Sequence, residues 1–223
     1  AEPKVNFVLE TLKEKNHKTK IKWIDIGSGT GEILYACKEK GIDAVGVESD
    51  PNEVKFALDK GLKVINELIN DKNSNQIIGN ADVISAFNVL EHIHDPVNFL
   101  KSLSKNSNKI IVFEVPRHPS ISSFLNQCFP NQACRHIYPP DHLHIFTEES
   151  IGIMLKECNL KLNSVWYFGQ DFYEMVNSCA GESKNDSKIL NDILNLSNDI
   201  QKVIDQSKLS DTVLVVAENN QYV

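Results

Sequence analysis

Short apolar runs alternate with amphipathic segments along the first half of the chain. Apolar runs at 21–26, 44–47, 63–65, 82–87 and 109–113 predict buried strands. Apolar residues at helical spacing predict helices at 5–15, 32–40, 52–59 and 96–103. Strands that alternate with helices in this way form right-handed βαβ units. The pattern therefore predicts an α/β fold with a doubly wound, mostly parallel sheet.

The second half of the chain has a different pattern. Residues 115–140 contain five prolines, which predicts a loop with one helical turn near Phe124. Further predicted elements are a helix at 148–157, a strand at 160–168, polar helices over 171–207 with a break near 181–186, and a last strand at 213–217. On the polar helices we expect inward-facing side chains at Leu190, Ile193, Leu194 and Leu196. We interpret 1–223 as one domain, with 116–147 as a lid over an acceptor and 171–208 as a helical insertion before the last strand.

Composition and charge restrict the partners and the compartment. The 223 residues carry a net charge of −7, which argues against a nucleic-acid partner held by phosphate neutralisation. No apolar stretch reaches the length of a membrane span, and no signal core stands at the start. The five cysteines are irregularly spaced without a CxxC pair, as is typical of reduced thiols. We expect a cytoplasmic monomer or homodimer that acts on a small molecule, without a membrane or nucleic-acid partner.

A glycine-rich turn after the first predicted strand is the strongest chemical signal. Gly27, Gly29 and Gly31 allow a tight turn and a close approach of a ligand at the carboxyl end of the sheet. Glu48, 17 residues after Gly31, ends the second strand, where a carboxylate accepts hydrogen bonds from a ribose diol. The GxGxG spacing differs from the GxGxxG of dinucleotide sites, so an adenosine ligand without a diphosphate fits better. A nicotinamide-dependent dehydrogenase is the weaker alternative.

Three segments carry a resemblance to a known family. Residues 21–51 (IKWIDIGSGTGEILYACKEKGIDAVGVESDP) and 87–96 (FNVLEHIHDP) resemble class I S-adenosylmethionine-dependent methyltransferases. Residues 139–150 (PPDHLHIFTEES) resemble a stretch common in the subgroup called methyltransferase domain 23. The resemblance implies a Rossmann-like, seven-stranded sheet with helices on both faces. Its last strand is antiparallel, and the 160–168 and 213–217 segments form this end of the sheet.

The resemblance also implies which residues bind S-adenosylmethionine and its product, S-adenosylhomocysteine. Asp25 and the turn of Gly27, Ser28, Gly29 and Gly31 are expected to hold the methionine part. Glu48 is expected to bind the ribose hydroxyls, with Ser49 beside the adenine. Phe87 and Asn88 are expected near the sulfonium, with His92 close behind.

Histidines are concentrated in the predicted loops at the carboxyl edge of the sheet. Six of the seven lie between residues 92 and 144. A hydroxyl acceptor gains from a general base within about 2.6–3.2 Å, and histidine suits that role near neutral pH. His142 is the first candidate, followed by His144 and His118. Exposed loop histidines without a function are the alternative for each of them.

Two arginines stand in the same region of a chain that otherwise uses lysine. Arg117 and Arg135 are the two arginines among 23 basic residues, and each precedes a histidine. Because a guanidinium binds carboxylate or phosphate with two parallel hydrogen bonds, they indicate an anionic acceptor. The predicted acceptor-binding residues are Arg117, Arg135, His136 and Tyr173. Chance placement of the arginines is the alternative.

A metal site is a further alternative interpretation of the same region. Cys128, Cys134, His136, His142 and His144 form a possible zinc set. The five residues between the two cysteines exceed the usual 2–4 of a structural zinc site. Buried or free thiols are the preferred interpretation, and we expect no metal.

The sequence thus predicts a methyltransferase that moves a methyl group to an oxygen or nitrogen atom. The expected acceptor is a small metabolite bearing phosphate or carboxylate, or an activated sugar. The resemblance points to tailoring of bacterial surface glycans or secondary metabolites. The alternative is a non-catalytic module that binds S-adenosylmethionine, with a collapsed acceptor pocket.

Overall fold

The fold is that of a computed structural model, which describes residues 1–13, 20–70, 72–105, 109–130, 140–180 and 188–219. One seven-stranded sheet has the order β3-β2-β1-β4-β5-β7-β6. Its strands are β1 (Lys22–Ile26), β2 (Asp43–Glu48), β3 (Val64–Asn66), β4 (Val83–Phe87), β5 (Ile110–Pro116), β6 (Leu160–Phe168) and β7 (Thr212–Asn219). β1 to β5 are parallel, and β7 runs antiparallel to both β5 and β6. The predicted α/β class and antiparallel end of the sheet are confirmed.

Ten helices accompany the sheet within the described part of the chain. They are α1 (Glu2–Lys13), α2 (Glu32–Glu39), α3 (Pro51–Asp59), α4 (Ser74–Ile78), α5 (Pro96–Leu103), α6 (Ile121–Cys128), α7 (Glu148–Glu157), α8 (Asp171–Ala180), α9 (Lys188–Asn195) and α10 (Ser197–Gln206). Two of them begin with an aspartate cap followed by proline. Asp50 accepts a hydrogen bond from Asn52 N in α3, and Asp95 accepts one from Asn98 N in α5. These caps satisfy amides that the first helical turn leaves without partners.

Both faces of the sheet are covered because side chains alternate along each strand. Trp23 of β1 and Val112 of β5 pack with α1 and α2 on one face. Ile24 of β1 and Phe113 of β5 pack with α4, α5 and α7 on the other. Trp23 and Phe113 are 1% and 0% exposed, and burying each such side chain contributes about 2–3 kcal/mol. The core therefore fixes the strand ends on which polar residues stand.

The helices differ most from the sequence prediction. α4 lies in a polar stretch where no helix was predicted, and α6 extends the predicted single turn near Phe124 to eight residues. The inward orientation expected around α9 is wrong for two side chains, since Ile193 is 38% and Leu196 55% exposed. The physical reason is that α9 packs mainly against α8 and α10.

The two ends of the 116–147 segment are joined at its base. Arg117 and Phe146 form a parallel bridge, His118 N donates to Phe146 O at 2.8 Å, and Phe146 N donates to Pro116 O at 3.0 Å. α6 lies between these ends. The segment thus leaves and rejoins the sheet edge at one point, and its role as a lid stays a prediction.

No helix within the described ranges is long and apolar enough to cross a bilayer.

Candidate active site

The loop between β1 and α2 turns through three glycines with positive φ. The φ angles are +66° at Gly27, +52° at Gly29 and +92° at Gly31, values that other residues rarely adopt. A Cβ on Gly31 would lie 2.5 Å from Leu62 Cδ1, so this glycine is also needed for packing. Gly29 differs, because the nearest atom to a Cβ there is Glu53 Oε2 at 3.6 Å. The backbone at Gly29 is therefore open to a ligand.

Glu48 ends β2 and ties this loop to the next helix. Its carboxylate is 8% exposed and accepts three backbone hydrogen bonds. Oε2 accepts from Gly29 N at 3.0 Å, whereas Oε1 accepts from Ser49 N at 2.7 Å and Asp50 N at 2.8 Å. Because a carboxylate offers about four acceptor positions, Oε2 keeps one for a further donor.

Ser28 and Ser49 contribute differently to the same loop. The Ser28 side chain is 5% exposed and packs onto Gly46 of β2, where a Cβ would collide with its Oγ. Among the described residues, no group hydrogen-bonds that Oγ. Ser49 is exposed, and its carbonyl oxygen accepts a hydrogen bond from Asn66 Nδ2 at 3.1 Å. Of the two side chains, only that of Ser49 is therefore accessible from outside the loop.

Asp25 is a buried carboxyl group at the end of β1. It is 2% exposed, and Ser85 Oγ donates to its Oδ1 at 2.5 Å. Trp23 Nε1 donates to the same hydroxyl at 2.7 Å. Burial raises the pKa of Asp25 to about 7, and the hydrogen bond from Ser85 opposes that rise. Asp25 is therefore held inside the sheet by Ser85 of the neighbouring strand β4.

A second group of polar residues follows β4. Phe87 is the last residue of this strand, and Asn88 adopts a positive φ of 54° while its N donates to Glu114 O at 3.1 Å. A 3-10 turn then covers Leu90–His92, in which Glu91 is 1% exposed and His92 is exposed. Since β1 and β4 are neighbouring parallel strands, this group lies beside the glycine loop.

Residues 141–144 are bound to the turn after β4 by their backbone. Leu143 N and His144 N both donate to Glu91 O, at 2.8 and 3.3 Å. His144 Nε2 lies 3.0 Å from Ile93 O. Because a carbonyl only accepts, Nε2 of His144 carries the hydrogen and Nδ1 carries the lone pair. Two segments fifty residues apart in sequence thus form one histidine-containing surface.

His92 and His142 meet within this surface. Their ring centroids lie 4.9 Å apart with the rings nearly perpendicular. Nδ1 of His92 is 2.6 Å from Asp141 O, which fixes the orientation of its ring. The structure therefore brings His92, His142 and His144 together. His118 is exposed at the base of the 116–147 segment and is not joined to them by any contact within the described residues.

The N-terminal helix places a cation at the same edge. Lys4 Nζ of α1 lies 2.6 Å from Glu114 Oε2, and the Glu114 side chain is 4% exposed. The same ammonium lies 5.4 Å from the Phe87 ring centroid and 5.5 Å from that of Phe168. Sequence reasoning missed this pair, because 110 positions separate its members and neither belongs to a motif.

Arg117 is placed inside the protein rather than toward an acceptor. It is 6% exposed, and Nη1 donates to Pro119 O at 2.9 Å and to Ser210 O at 3.0 Å. Nη2 lies 3.2 Å from Glu148 Oε1, and the guanidinium stacks 5.2 Å from the Tyr167 ring centroid. These contacts explain an arginine here without an acceptor, so its predicted role finds no support in its placement.

The other predicted acceptor residues are not brought to the histidine surface. Tyr173 lies 46% exposed on α8, which packs against α6 and α10. Arg135, His136 and Cys134 lie outside the described residues. Cys128 is exposed with a free thiol.

Two further thiols are buried and unreactive. Burial raises the pKa of Cys37 to about 12 and that of Cys158 to about 11. Neither thiol is therefore ionised near neutral pH, and neither is a candidate nucleophile.

A family model described as "Methyltransferase domain" matches residues 3–165, which is more than two thirds of the chain. The chain belongs to this methyltransferase domain family. The match confirms the methyltransferase class that the motifs at 21–51 and 87–96 predicted.

One curated relative of this methyltransferase is the mitochondrial ubiquinone biosynthesis O-methyltransferase of Schizosaccharomyces pombe. It is 27% identical over 123 residues. The match spans 51% of this chain and 45% of that protein, so this chain covers about half the length of the relative.

Solved structures share the fold over nearly the whole methyltransferase. An S-adenosylmethionine-dependent methyltransferase from Archaeoglobus fulgidus has a TM-score of 0.59 at 20% identity, covering 98% of this chain and 95% of that chain. Magnesium protoporphyrin IX methyltransferase from Synechocystis, solved with bound S-adenosylhomocysteine, has a TM-score of 0.64 at 12% identity over 98% and 83%. These likenesses confirm the fold class.

Sequence reasoning also missed Glu91 of this methyltransferase. It stands inside the quoted FNVLEHIHDP motif, where an acid between Leu90 and His92 is typical of an exposed helix position. In the fold Glu91 is 1% exposed, and residues 143–144 hydrogen-bond to its carbonyl oxygen.

Proposed function

We propose that this methyltransferase transfers the methyl group of S-adenosylmethionine to an oxygen atom of a small-molecule acceptor. The observation that carries the proposal is the adjacency of two groups at one sheet edge. The glycine loop with Glu48 follows β1 and β2, and the histidine surface follows the neighbouring β4. The net charge of −7 favours a small molecule over a nucleic acid.

The residues around the loop fit the cofactor. Gly29 leaves its backbone open, and Glu48 Oε2 keeps an acceptor position for a ribose hydroxyl. In the proposal, Ser49 lies beside the adenine, Asp25 and the turn at 27–31 hold the methionine part, and Phe87, Asn88 and His92 border the sulfonium. S-adenosylmethionine supplies there an electrophilic methyl group on a positively charged sulfur.

Among the predicted bases, His144 is the one whose orientation suits proton transfer. Its Nε2–H is held by Ile93 O, which leaves the lone pair of Nδ1 to accept a hydroxyl proton. His142 stands next to it on the same segment, and His118 remains a prediction from sequence alone.

The acceptor atom is proposed to be oxygen because a positioned base helps a hydroxyl more than an amine. The O-methyltransferase relative supports the same choice. Metabolites bearing phosphate or carboxylate, and activated sugars, are the first acceptors to test. A tailoring role in glycans or secondary metabolites stays a prediction.

The test combines cofactor capture with turnover. Native mass spectrometry with S-adenosylmethionine, S-adenosylhomocysteine and NAD in competition identifies the ligand. Turnover with methyl-deuterated cofactor and a panel of hydroxyl acceptors then identifies the reaction. We expect capture of both adenosyl ligands, turnover on a hydroxyl acceptor, and at least a tenfold lower rate for His144→Ala. The exposed His94→Ala is the matched control and should keep the wild-type rate.

Other results would overturn the proposal. Capture of NAD would favour the dehydrogenase. Capture of the adenosyl ligands without turnover across the panel would favour the non-catalytic module. Methylation at nitrogen alone would refute the choice of oxygen.

A further inference from the structure

Three side chains beside the predicted cofactor edge form a compact set of metal-ligand types. Glu91, His92 and His142 each offer a ligand atom, and these atoms all lie within 4.8 Å of one another. Metal bonds of about 2.1 Å place ligand atoms roughly 3–3.5 Å apart, so the set needs an adjustment of at most about 2 Å. His92 is exposed and His142 half-buried, which gives their rings the freedom to make it.

The burial of Glu91 adds an electrostatic argument. Glu91 is 1% exposed in the 3-10 turn after β4, so water screens the charge of its carboxylate only weakly. The two residues that it meets in this set are imidazoles, which are neutral when they act as metal ligands. A divalent cation between the three groups would therefore be attracted by a weakly screened negative charge.

The orientation of His92 suits a ligand. Its Nδ1 lies 2.6 Å from the carbonyl oxygen of Asp141, so Nδ1 carries the hydrogen and Nε2 carries the lone pair. Metal-binding histidines typically donate their other ring N–H to a carbonyl or carboxylate, which fixes the tautomer and the ring. His92 already has this outer partner.

The backbone holds the two ligand segments together. Leu143 N and His144 N donate to Glu91 O, so the residues flanking His142 are bound to the turn that carries Glu91 and His92. Three ligands on two cross-linked segments form a built arrangement rather than a chance encounter of flexible side chains.

We propose that Glu91, His92 and His142 bind one divalent transition-metal ion. Two imidazoles and one carboxylate favour zinc, cobalt or manganese over magnesium, which prefers oxygen ligands. Three protein ligands leave coordination positions open for an acceptor oxygen. This set differs from the zinc set considered from the sequence, with which it shares only His142, and it replaces the expectation of no metal.

The role of the ion rests on the proposed function. A hydroxyl bound to a divalent cation has a lower pKa and a fixed position, both of which favour its use as a nucleophile. The ion would thus select hydroxyl acceptors, while His144 on the same segment receives the proton.

The experiment measures metal binding directly on a tag-free, chelator-treated chain of residues 1–223. Titration with Co²⁺ alone gives a visible absorption band, and competition with Zn²⁺ gives the affinity. We expect one site per chain, with Zn²⁺ and Co²⁺ bound at least tenfold more tightly than Mg²⁺. Glu91→Gln and His142→Ala should each weaken binding about 100-fold, since loss of an outer partner alone costs 10–100-fold. His94→Ala, an exposed histidine two positions after His92, should bind like wild type.

The outcomes separate the metal site from the proposed function. Circular dichroism shows whether each variant folds. If the buried Glu91→Gln does not fold, His142→Ala, at a half-buried position, still tests the site. Wild-type Co²⁺ affinity in a folded His142→Ala chain, or an equal loss in His94→Ala, would overturn the metal site. Titration of the same metal-free chain with S-adenosylhomocysteine tests the proposed function separately. If the chain binds this ligand but no metal ion, only the metal site is rejected.

Discussion

Replacing Glu48 by glutamine separates two roles that this carboxylate combines. Its oxygens accept hydrogen bonds from the amides of Gly29, Ser49 and Asp50, which makes it part of the loop. The remaining acceptor position on Oε2 is proposed to serve the ribose. Glutamine has nearly the same shape, but its amide nitrogen only donates.

The magnitude follows from the three hydrogen bonds. The glutamine oxygen keeps the two amides at Ser49 and Asp50 as neutral hydrogen bonds, whereas the Gly29 amide loses its acceptor. A hydrogen bond to a charged group contributes about 1.5–3 kcal/mol and a neutral one about 1 kcal/mol. We therefore expect the free energy of unfolding to fall by at least about 2.5 kcal/mol. Loss of one charged hydrogen bond to the ribose should raise the Kd for S-adenosylhomocysteine about 10- to 100-fold.

The assay pairs urea denaturation with calorimetric titration of S-adenosylhomocysteine. The matched control is Glu39→Gln, because Glu39 is an exposed glutamate at the end of α2. It should change the free energy of unfolding by less than about 0.5 kcal/mol and leave the Kd unaltered. An unchanged Kd in a destabilised Glu48→Gln chain would refute the ribose role, and unchanged stability would refute the loop role.

Three further substitutions test the packing around the sheet edge. Gly31→Ala should lower the free energy of unfolding by at least about 2 kcal/mol, because the new Cβ would lie 2.5 Å from Leu62 Cδ1. Gly41 also has a positive φ but nothing within 4 Å of a Cβ, so Gly41→Ala should lower it by only about 1 kcal/mol. Equal losses for the two variants in urea denaturation would contradict this prediction. Arg117→Met should lower the free energy of unfolding by about 2–4 kcal/mol, since the buried Ser210 carbonyl and the partly buried Pro119 carbonyl lose their donor, and an anionic acceptor should keep its KM. The pKa of Asp25 is raised to about 7, so the folded state keeps a proton on this carboxyl that the unfolded state loses near pH 4. The free energy of unfolding should therefore fall as the pH rises from 4 to 7. Asp25→Asn should therefore gain about 3 kcal/mol relative to wild type between pH 5 and pH 8, and a constant difference between the two denaturation curves would disprove it.

The strands were predictable because the apolar residues that bury each strand are close together in the sequence. β1, β4 and β5 consist mainly of apolar residues, and glycines or aspartate–proline pairs mark the helix ends beside them. α4 was not predictable in this way. It buries only Ser74 and Ile78, and Lys109, thirty positions further on, donates to the carbonyl of Gly79 that follows it. The interactions that hold α4 in place are therefore distant in sequence.

The candidate site divides along the same line. The glycine loop and Glu48 lie within one βαβ unit, where spacing alone suggests proximity. The histidine surface depends on backbone hydrogen bonds between Glu91 and residues 143–144, which no local pattern encodes. Arg117 is an error of the opposite kind. Its position near histidines predicted a residue that binds the methyl acceptor, whereas in the fold its guanidinium donates a buried hydrogen bond to Ser210 O.

The position of β7 affects the order in which the molecule can assemble. β7 lies between β5 and β6 in the sheet but follows both in the chain. A growing chain that has emerged as far as β6 can complete the parallel half, yet β6 has no partner until Thr212–Asn219 arrives. Until then β5 presents an unpaired edge, which is a site for association with other chains. Truncation before β7 would therefore detach two strands from the sheet, not one.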